Sequence, residues 1–356
     1  MKKYKICKIL LVILAIFLCV AFYELLGICV AYKKQLEVSN TTKKETKNGS
    51  WNECSENTER AVIIEKNPEA LLQRVRLIKN AKKEIILSTF AFQSDESGKL
   101  ILGALHDAAD RGVHIRLLVD GMESWIDMEG NPYFYGLSSH ENVEIKLYNK
   151  ANALKPWKMM GRMHDKYLIA DGKRYILGGR NIHNYFLGDF PGHKNYDRDV
   201  LVVCDEPEKE NSVNQLLEYF ETIWEQEDSG YFHDNKKLAN RKSVKNAVLE
   251  LQNGYQKYFE ENKERICDTD YTDETFETEK IALVSNPIHT GSKEPVVWYQ
   301  LGELMKNAKN RVKIHTPYII CNDMMYNTWE EIAENVSDFS IMTNSVANNG
   351  NPFGAA

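Results

Sequence analysis

Arg162-Met163-His164-Asp165-Lys166-Tyr167-Leu168-Ile169-Ala170-Asp171-Gly172, followed closely by Gly178-Gly179-Arg180-Asn181, is the stretch on which the rest of the chain is read. Its alternation predicts a strand from Met163 to Ala170. Residues i and i+2 of a strand share a face, so His164 and Lys166 present an imidazole and an ammonium side by side. Asp171-Gly172 marks a hairpin turn. Arg174 to Leu177 then forms the returning strand and carries Gly178-Gly179-Arg180-Asn181 back toward the start of the hairpin. The set suits a phosphate diester. The Lys166 charge and the Asn181 amide can hold non-bridging oxygens and stabilise charge that develops in a transition state. Gly178 and Gly179 allow backbone to approach the phosphate closely. A neutral His164 nitrogen can attack phosphorus and form a covalent intermediate. The nearby acids make no magnesium or zinc set, so neither metal nor other cofactor is expected.

Upstream, Asn67-Pro68 signals a helix start, and Leu71, Leu72, Val75 and Ile78 keep helical spacing. Glu84 to Phe90 reads as a buried strand, Leu100 to Arg111 as a helix stopped by Gly112, and Val113 to Val119 as a second strand closed by Asp120-Gly121. Val143 to Tyr148 supplies another strand. This strand-helix-strand rhythm implies a largely parallel sheet covered by helices.

The beginning of this pattern recurs. Leu77 to Ile85 (LIKNAKKEI) has a near copy in Leu304 to Val312 (LMKNAKNRV), and Thr89 and Thr316 occupy matching places in the strands that follow. Ile115 to Gly121 corresponds to Phe339 to Ser345, so the chain starts the same fold twice. His164 comes 44 residues after Asp120, whereas 12 residues follow Asn344. The second copy is therefore expected to be incomplete and to lack its own version of the motif. Between the copies, Lys237 to Arg265 is helix-compatible, and Asp268 to Glu279 reads as an exposed acidic loop.

At the other end, Lys2, Lys3, Lys5 and Lys8 precede an apolar run of 24 residues from Ile9 to Tyr32, broken only by Glu24. As a helix it would rise about 36 Å, enough to cross a bilayer. A cleaved signal peptide competes, but no clear small-x-small site follows. Lysines on both sides leave the orientation open. The expected divisions are a basic N-terminus (1–8), a transmembrane anchor (9–32), a flexible linker (33–57), a first domain (58–227), a helical connector with the acidic loop (228–280) and the incomplete second copy (281–356). The formal charge of −6 lacks the basic field of a general nucleic-acid binder. Seven scattered cysteines without a CxxC pair make neither a zinc framework nor a disulfide scaffold.

The motif resembles HxK(x)4D(x)6GGxN of the phospholipase D superfamily at every fixed place, a match expected by chance about once per 10^8 start positions. The sequence is most similar to bacterial cardiolipin synthases. Asp197 and Asp199 match a further segment of that branch, Phe220 and Trp224 fit the helix after it, and Thr316-Pro317-Tyr318 with Thr343-Asn344-Ser345 resemble the opening of its second half. The resemblance implies an α/β/α sandwich of phospholipase D type: one complete domain and an incomplete second copy, preceded by the transmembrane helix. It implies His164 as nucleophile or general acid, Lys166 and Asn181 as phosphate ligands, and a structural or charge-orienting Asp171, which stands with His164 and Lys166 as a catalytic candidate although an Asp-Gly turn needs no catalysis. The implied activity is phosphatidyl transfer between glycerophospholipids, with hydrolysis or an inactive truncated membrane protein as alternatives, since the family uses two histidines. The expected partners are a phosphatidylglycerol-like lipid and the cell membrane, with no nucleic acid. Homodimers in which each chain donates His164 are disfavoured, because the half-built copy would obstruct pairing.

Simpler roles are expected elsewhere. Arg180 reads as a salt-bridging residue rather than a headgroup ligand, and Asp197 and Asp199 as structural. His183 and His193 read as exposed loop histidines, His315 as a core residue, and Trp125, Trp157 and Tyr185 as ordinary aromatic packing.

Overall fold

The computed structural model describes residues 2–31, 36–49, 59–204, 206, 211–233 and 235–345. It divides into two units: one holds residues 1–34, 54–283 and 288–292, the other residues 35–53, 284–287 and 293–356.

The first unit begins with α1 (Lys2–Ala31). Its portion Lys5–Ala31 is apolar and long enough to cross a membrane. The second unit's first helix is α2 (Asn40–Asn48), within the segment expected to be a flexible linker. Polar composition hid it because its ends are fixed locally. Ser39 caps the start by accepting from the Thr42 N–H, and Gly49 takes φ 72° at the end. Residues 33–35 and 50–57 of that linker lie outside the described residues.

The first unit then runs β1 (Glu59–Ile64), α3 (Asn67–Asn80), β2 (Glu84–Thr89), α4 (Glu96–Asp110), β3 (His114–Asp120), α5 (Glu123–Met128), α6 (Pro132–Ser138) and β4 (Val143–Tyr148). It continues with β5 (Tyr167–Ala170), β6 (Arg174–Gly178), β7 (Asp199–Cys204), α7 (Ser212–Trp224), β8 (Ser229–Tyr231), α8 (Lys242–Glu261), α9 (Lys263–Cys267) and β9 (Phe276–Glu277). The nine strands make one sheet in the order β8-β4-β3-β2-β5-β6-β7-β1-β9. Strands β2, β3 and β4 are mutually parallel, while β5, β6, β7 and β1 alternate antiparallel.

Period-two alternation builds both faces of the sheet. Ile85, Leu87, Ile115, Leu117, Leu168 and Ile176 point into a core shared with α3, α4, α6 and α8. Ile86, Leu118, Ile169, Tyr175 and Val202 point the other way, against Val213, Leu216, Phe220 and Trp224 of α7. This is the sandwich expected from the sequence. Arg116 fastens α7 to the sheet: its guanidinium lies over Phe220 and Trp224, at 4.8 and 5.8 Å from the ring centroids, and pairs with Glu84 and Glu221.

Three boundaries differ from the expectation. The strand of the motif begins at Tyr167, not Met163, so His164 and Lys166 lie in the extended segment just before it. The acidic stretch after α9 is not a free loop. Tyr271 and Thr275 are buried, Glu274 and Asp268 pair with the buried Arg76, and β9 adds to β1. Burying the Arg76 charge demands these carboxylates, which composition alone cannot show. In the second unit, His315 is exposed rather than in the core.

That unit repeats the opening of the first, through α10 (Val296–Lys306), β10 (Arg311–His315), α11 (Asp323–Asn335) and β11 (Asp338–Met342), with β10 and β11 parallel as β2 and β3 are. The correspondence reaches single hydrogen bonds. Thr89 donates its hydroxyl to the Ala91 carbonyl at 3.1 Å, and Thr316 donates to Tyr318 at 3.1 Å. Val312, Ile332 and Val336 form its core.

Asp171 fixes the β5–β6 hairpin within the sandwich. It sits in the turn at φ 55°, followed by Gly172 at φ 62°. Its carboxylate accepts from the backbone N–H groups of Lys82, Lys83 and Glu84 at 2.7–3.1 Å. The turn lies at the opposite end of β5 from His164, about 20 Å away at strand rise. Asp171 therefore has no direct catalytic contact, contrary to its place among the candidate catalytic residues. Asp171→Asn keeps a residue that tolerates the turn but weakens a charged acceptor of three N–H groups. We expect it to lower unfolding free energy by about 1–3 kcal/mol. Thermal unfolding in detergent checks this, with turnover below the transition expected to stay within about threefold.

Candidate active site

The site forms at the C-terminal ends of the parallel strands, where Asp120 ends β3. Asp120 is fully buried. One carboxylate oxygen accepts from the Met163 N–H at 3.0 Å, next to His164, and faces the Arg162 guanidinium at 3.2 Å. The other accepts from the N–H groups of Met122 and Glu123, both at 3.1 Å, and so starts α5. Burial raises the Asp120 pKa, against the opposing pull of Arg162 and these N–H donors.

Lys166 is buried and donates to the His164 carbonyl at 2.6 Å, which leaves two ammonium donors for an anion. Its own carbonyl accepts from Gly178 N–H at 3.1 Å, which locks the site to β6. Phe90, just beyond β2, lies beneath both groups: its centroid is 4.7 Å from that of the imidazole and 5.2 Å from the Lys166 nitrogen. Among the described residues, neither ring nitrogen of His164 has a hydrogen-bond partner.

The electrostatics follow from this packing. His164 reaches solvent at its outer edge, yet the protein around the ring and then the Lys166 charge push its pKa down to about 4. It is thus neutral at pH 7. Burial lowers Lys166 to about 8, while Asp165, Asp197 and Asp120 hold it up. Asp165 is in turn fixed by the Tyr219 hydroxyl at 2.7 Å. A neutral imidazole beside a poised ammonium suits attack on an anionic phosphorus centre.

Several candidates also make contacts within the fold. Asn181 accepts from Ala91 N–H at 3.2 Å, which ties the motif's end to the loop carrying Phe90. A Cβ on Gly178 would meet Asp199 Oδ1 at 2.1 Å, and one on Gly179 would meet Asp197 Oδ2 at 2.1 Å. The close approach these glycines permit is therefore that of the segment leading into β7. Arg180 is buried and pairs with Asp199 at 3.2 Å, Asp199 also holds Arg74 at 2.9 Å, and Arg180 donates to the carbonyls of Ile64 and Glu65. Arg180 and Asp199 are thus out of reach of a substrate. Asp197 caps the backbone at Arg198 and adds negative charge near Lys166.

Of the loop histidines, His193 is exposed but His183 is buried against Tyr185 and Phe186. Trp125, Trp157 and Tyr185 are exposed, Tyr185 with His183 and His193 against its ring. Among the described residues no group of three or more His, Cys, Asp or Glu is placed to hold a metal ion. A cavity of about 770 Å³ lies elsewhere, lined by His106, His140, Val244, Val248 and Leu249 among others and by none of the motif residues.

Sequence reading missed Asp120 and Phe90. Their one available signal was position, at the C-terminal ends of parallel strands, where open α/β sheets place their ligands.

Residues 74–224 match the family described as cardiolipin synthase, PLD-like domain. An uncharacterized protein of Helicobacter pylori is 28% identical over 315 residues, which are 81% of this chain and 59% of that protein. Cardiolipin synthase C of Escherichia coli is 29% identical over 171 residues, 44% of this chain and 34% of the relative. The chain thus spans about three fifths of the length of the first of these relatives, and less of the second. The crystal structure of phosphatidylserine synthase from Haemophilus influenzae aligns with a TM-score of 0.56 at 16% identity, covering 87% of this chain and 67% of the other, a likeness of fold. The segment built around His164 and Lys166 thus matches the phospholipase D-like domain of cardiolipin synthases.

Proposed function

We propose that this domain transfers a phosphatidyl group between glycerophospholipids through a phosphohistidine on His164. The observation that carries the reading is the neutral His164 ring, free of hydrogen bonds among the described residues, beside the buried Lys166 ammonium. A phosphatidylglycerol phosphate would take the two remaining Lys166 donors. A ring nitrogen of His164 attacks phosphorus, a P–N bond forms, and the P–O bond to glycerol breaks. The departing oxygen takes its proton from a general acid that the family resemblance assigns to a second copy of the motif. The hydroxyl of a second phosphatidylglycerol, giving its proton to that same group, then attacks phosphorus, breaks the P–N bond and regenerates His164. The balance is two phosphatidylglycerol to one cardiolipin and one glycerol. Asp120 serves as a positioning residue, through Met163 and Arg162. The apolar α1 fits a membrane anchor, which would keep the domain beside a bilayer substrate.

Purified full-length protein given phosphatidylglycerol should release glycerol and form cardiolipin. Phosphatidic acid as the sole lipid product would replace transfer with hydrolysis. His164→Ala should lower turnover by about 10^3-fold or more. Turnover within tenfold of the parent would remove His164 from the mechanism.

The pH dependence follows from the same two groups. His164 must be neutral, so kcat/KM should fall as pH drops through about 4. Lys166 must be charged, so it should also fall as pH rises through about 8. Lys166→Arg should move the alkaline limb upward by at least one pH unit, since a guanidinium stays charged. An alkaline limb that does not move assigns that titration to another group.

A further inference from the structure

Between β4 and the motif the chain leaves the sheet, and the neck of this excursion is closed tightly. Asn149 donates its side-chain amide to the carbonyls of Lys158 and Gly161 at 2.7 and 2.9 Å. Arg162 donates to the Asn149 carbonyl at 2.6 Å while facing Asp120. Lys158 pairs with Asp228 at 2.6 Å. Yet the tip of so well-held a loop is apolar and exposed: Leu154 is 79% accessible, Met160 58% and Trp157 45%. Trp125 and Ile126 of α5, started by the same Asp120, are also exposed. Fixing large apolar side chains in water serves no folding purpose, so the surface calls for a partner.

The helix α1 indicates which partner. The Tyr23 hydroxyl donates to the Leu154 carbonyl at 3.0 Å. Gly27 lies so close to Pro156 that a Cβ there would sit 2.4 Å from its ring. The loop is therefore fixed at the level of Tyr23–Gly27. If α1 crosses a bilayer, that level lies toward one face of the span Lys5–Ala31. Those 27 residues make about 40 Å of helix against the ~30 Å hydrocarbon core, so with the span centred Gly27 lies near the edge of the core and Tyr23 a few ångström inside it. Glu24 follows at once, and Tyr23 and Trp157 are the ring types that settle at headgroup depth. Lys155 lies among the apolar residues of the loop, Lys150 and Lys158 are held at its neck by the Tyr231 carbonyl and Asp228, and Glu123 and Asp127 belong to the neighbouring α5. The strongest lipid contact thus falls on the loop.

We propose that Leu154, Trp157 and Met160, tied to α1 at Tyr23 and Gly27, insert into the bilayer interface as a second membrane contact. The loop runs directly through Arg162 and Met163 into His164, so its insertion sets the catalytic segment at headgroup level. This rests on the membrane reading of α1 and goes beyond the chemistry proposed for His164.

The test uses the full chain in vesicles of phosphatidylcholine with phosphatidylglycerol, with cysteines other than the buried Cys204 replaced by serine. An environment-sensitive fluorophore is placed at Leu154→Cys, Met160→Cys, Leu14→Cys of α1 or the exposed Leu249→Cys of α8. Lipids brominated high in the acyl chain should quench the labels at 154 and 160 about twofold and leave that at 249 unchanged. Labels at 154 and 160 that behave like 249, while 14 is quenched by deeply brominated lipid, overturn the proposal. A blue-shifted but unquenched label at 154 or 160 means a protein neighbour and overturns it too. An unquenched label at 14 overturns the anchor and the proposal together. The loss of turnover in His164→Ala is read separately, so failure of the chemistry stays distinguishable. Gly27→Leu, which displaces Pro156, should abolish quenching at 154 and 160 but not at 14; unchanged quenching there overturns the tie to α1. Should the cysteine replacements prevent folding, the same shallow lipids should quench native tryptophan emission less in Trp157→Phe than in the parent, and equal quenching overturns the proposal.

Discussion

One buried carboxylate organises this end of the molecule. Asp120 ends a parallel strand, starts α5, fixes the Met163 backbone and pairs with Arg162. Each of these groups would be costly to bury without it. The segment bearing His164 therefore has its entry point set by β3, forty-three residues earlier in the chain. Its exit is set by β6, through the bond from Gly178 to the Lys166 carbonyl. Between these two ties the backbone that carries the imidazole and the ammonium has little freedom. This is the preorganisation that electrostatic catalysis requires.

The same packing sets the charge state. Lys166 is buried and His164, exposed on its outer side, is backed by protein, while the ammonium disfavours a second positive charge on the ring. Phe90 lies against both without offering a proton acceptor. The site thus keeps a neutral nitrogen beside a cation, with Asp165, Asp197 and Asp120 maintaining the Lys166 charge from a distance. A second buried network, of Arg74, Arg180 and Asp199, stands behind the glycines and supports β7 rather than the ligand.

What could be read from the sequence was whatever depends on neighbours along the chain. The strands β2, β3 and β4, the helix start at Asn67-Pro68, the Asp171-Gly172 turn and the repeat all express local periodicity and turn chemistry. The motif carried His164, Lys166 and Asn181 by spacing alone. Long-range pairing was not legible. Asp120 looked like a strand-closing turn residue, and Phe90 like the last residue of a buried strand. Asp171 looked as eligible for catalysis as for the turn until its three N–H partners at the start of β2 were known. The acidic stretch looked solvated because the buried Arg76 it neutralises lies nearly two hundred residues away. Exposure of Trp125, Trp157 and Tyr185 was equally hidden, since an aromatic's default is to pack.

The central claim is that packing and Lys166 together hold His164 neutral. Its most direct test is an NMR titration of the imidazole in the detergent-solubilised chain, with the resonance assigned through His164→Gln. The account predicts a midpoint near 4 and a neutral ring throughout the neutral range. A midpoint at or above the ordinary histidine value of about 6.5 would contradict it.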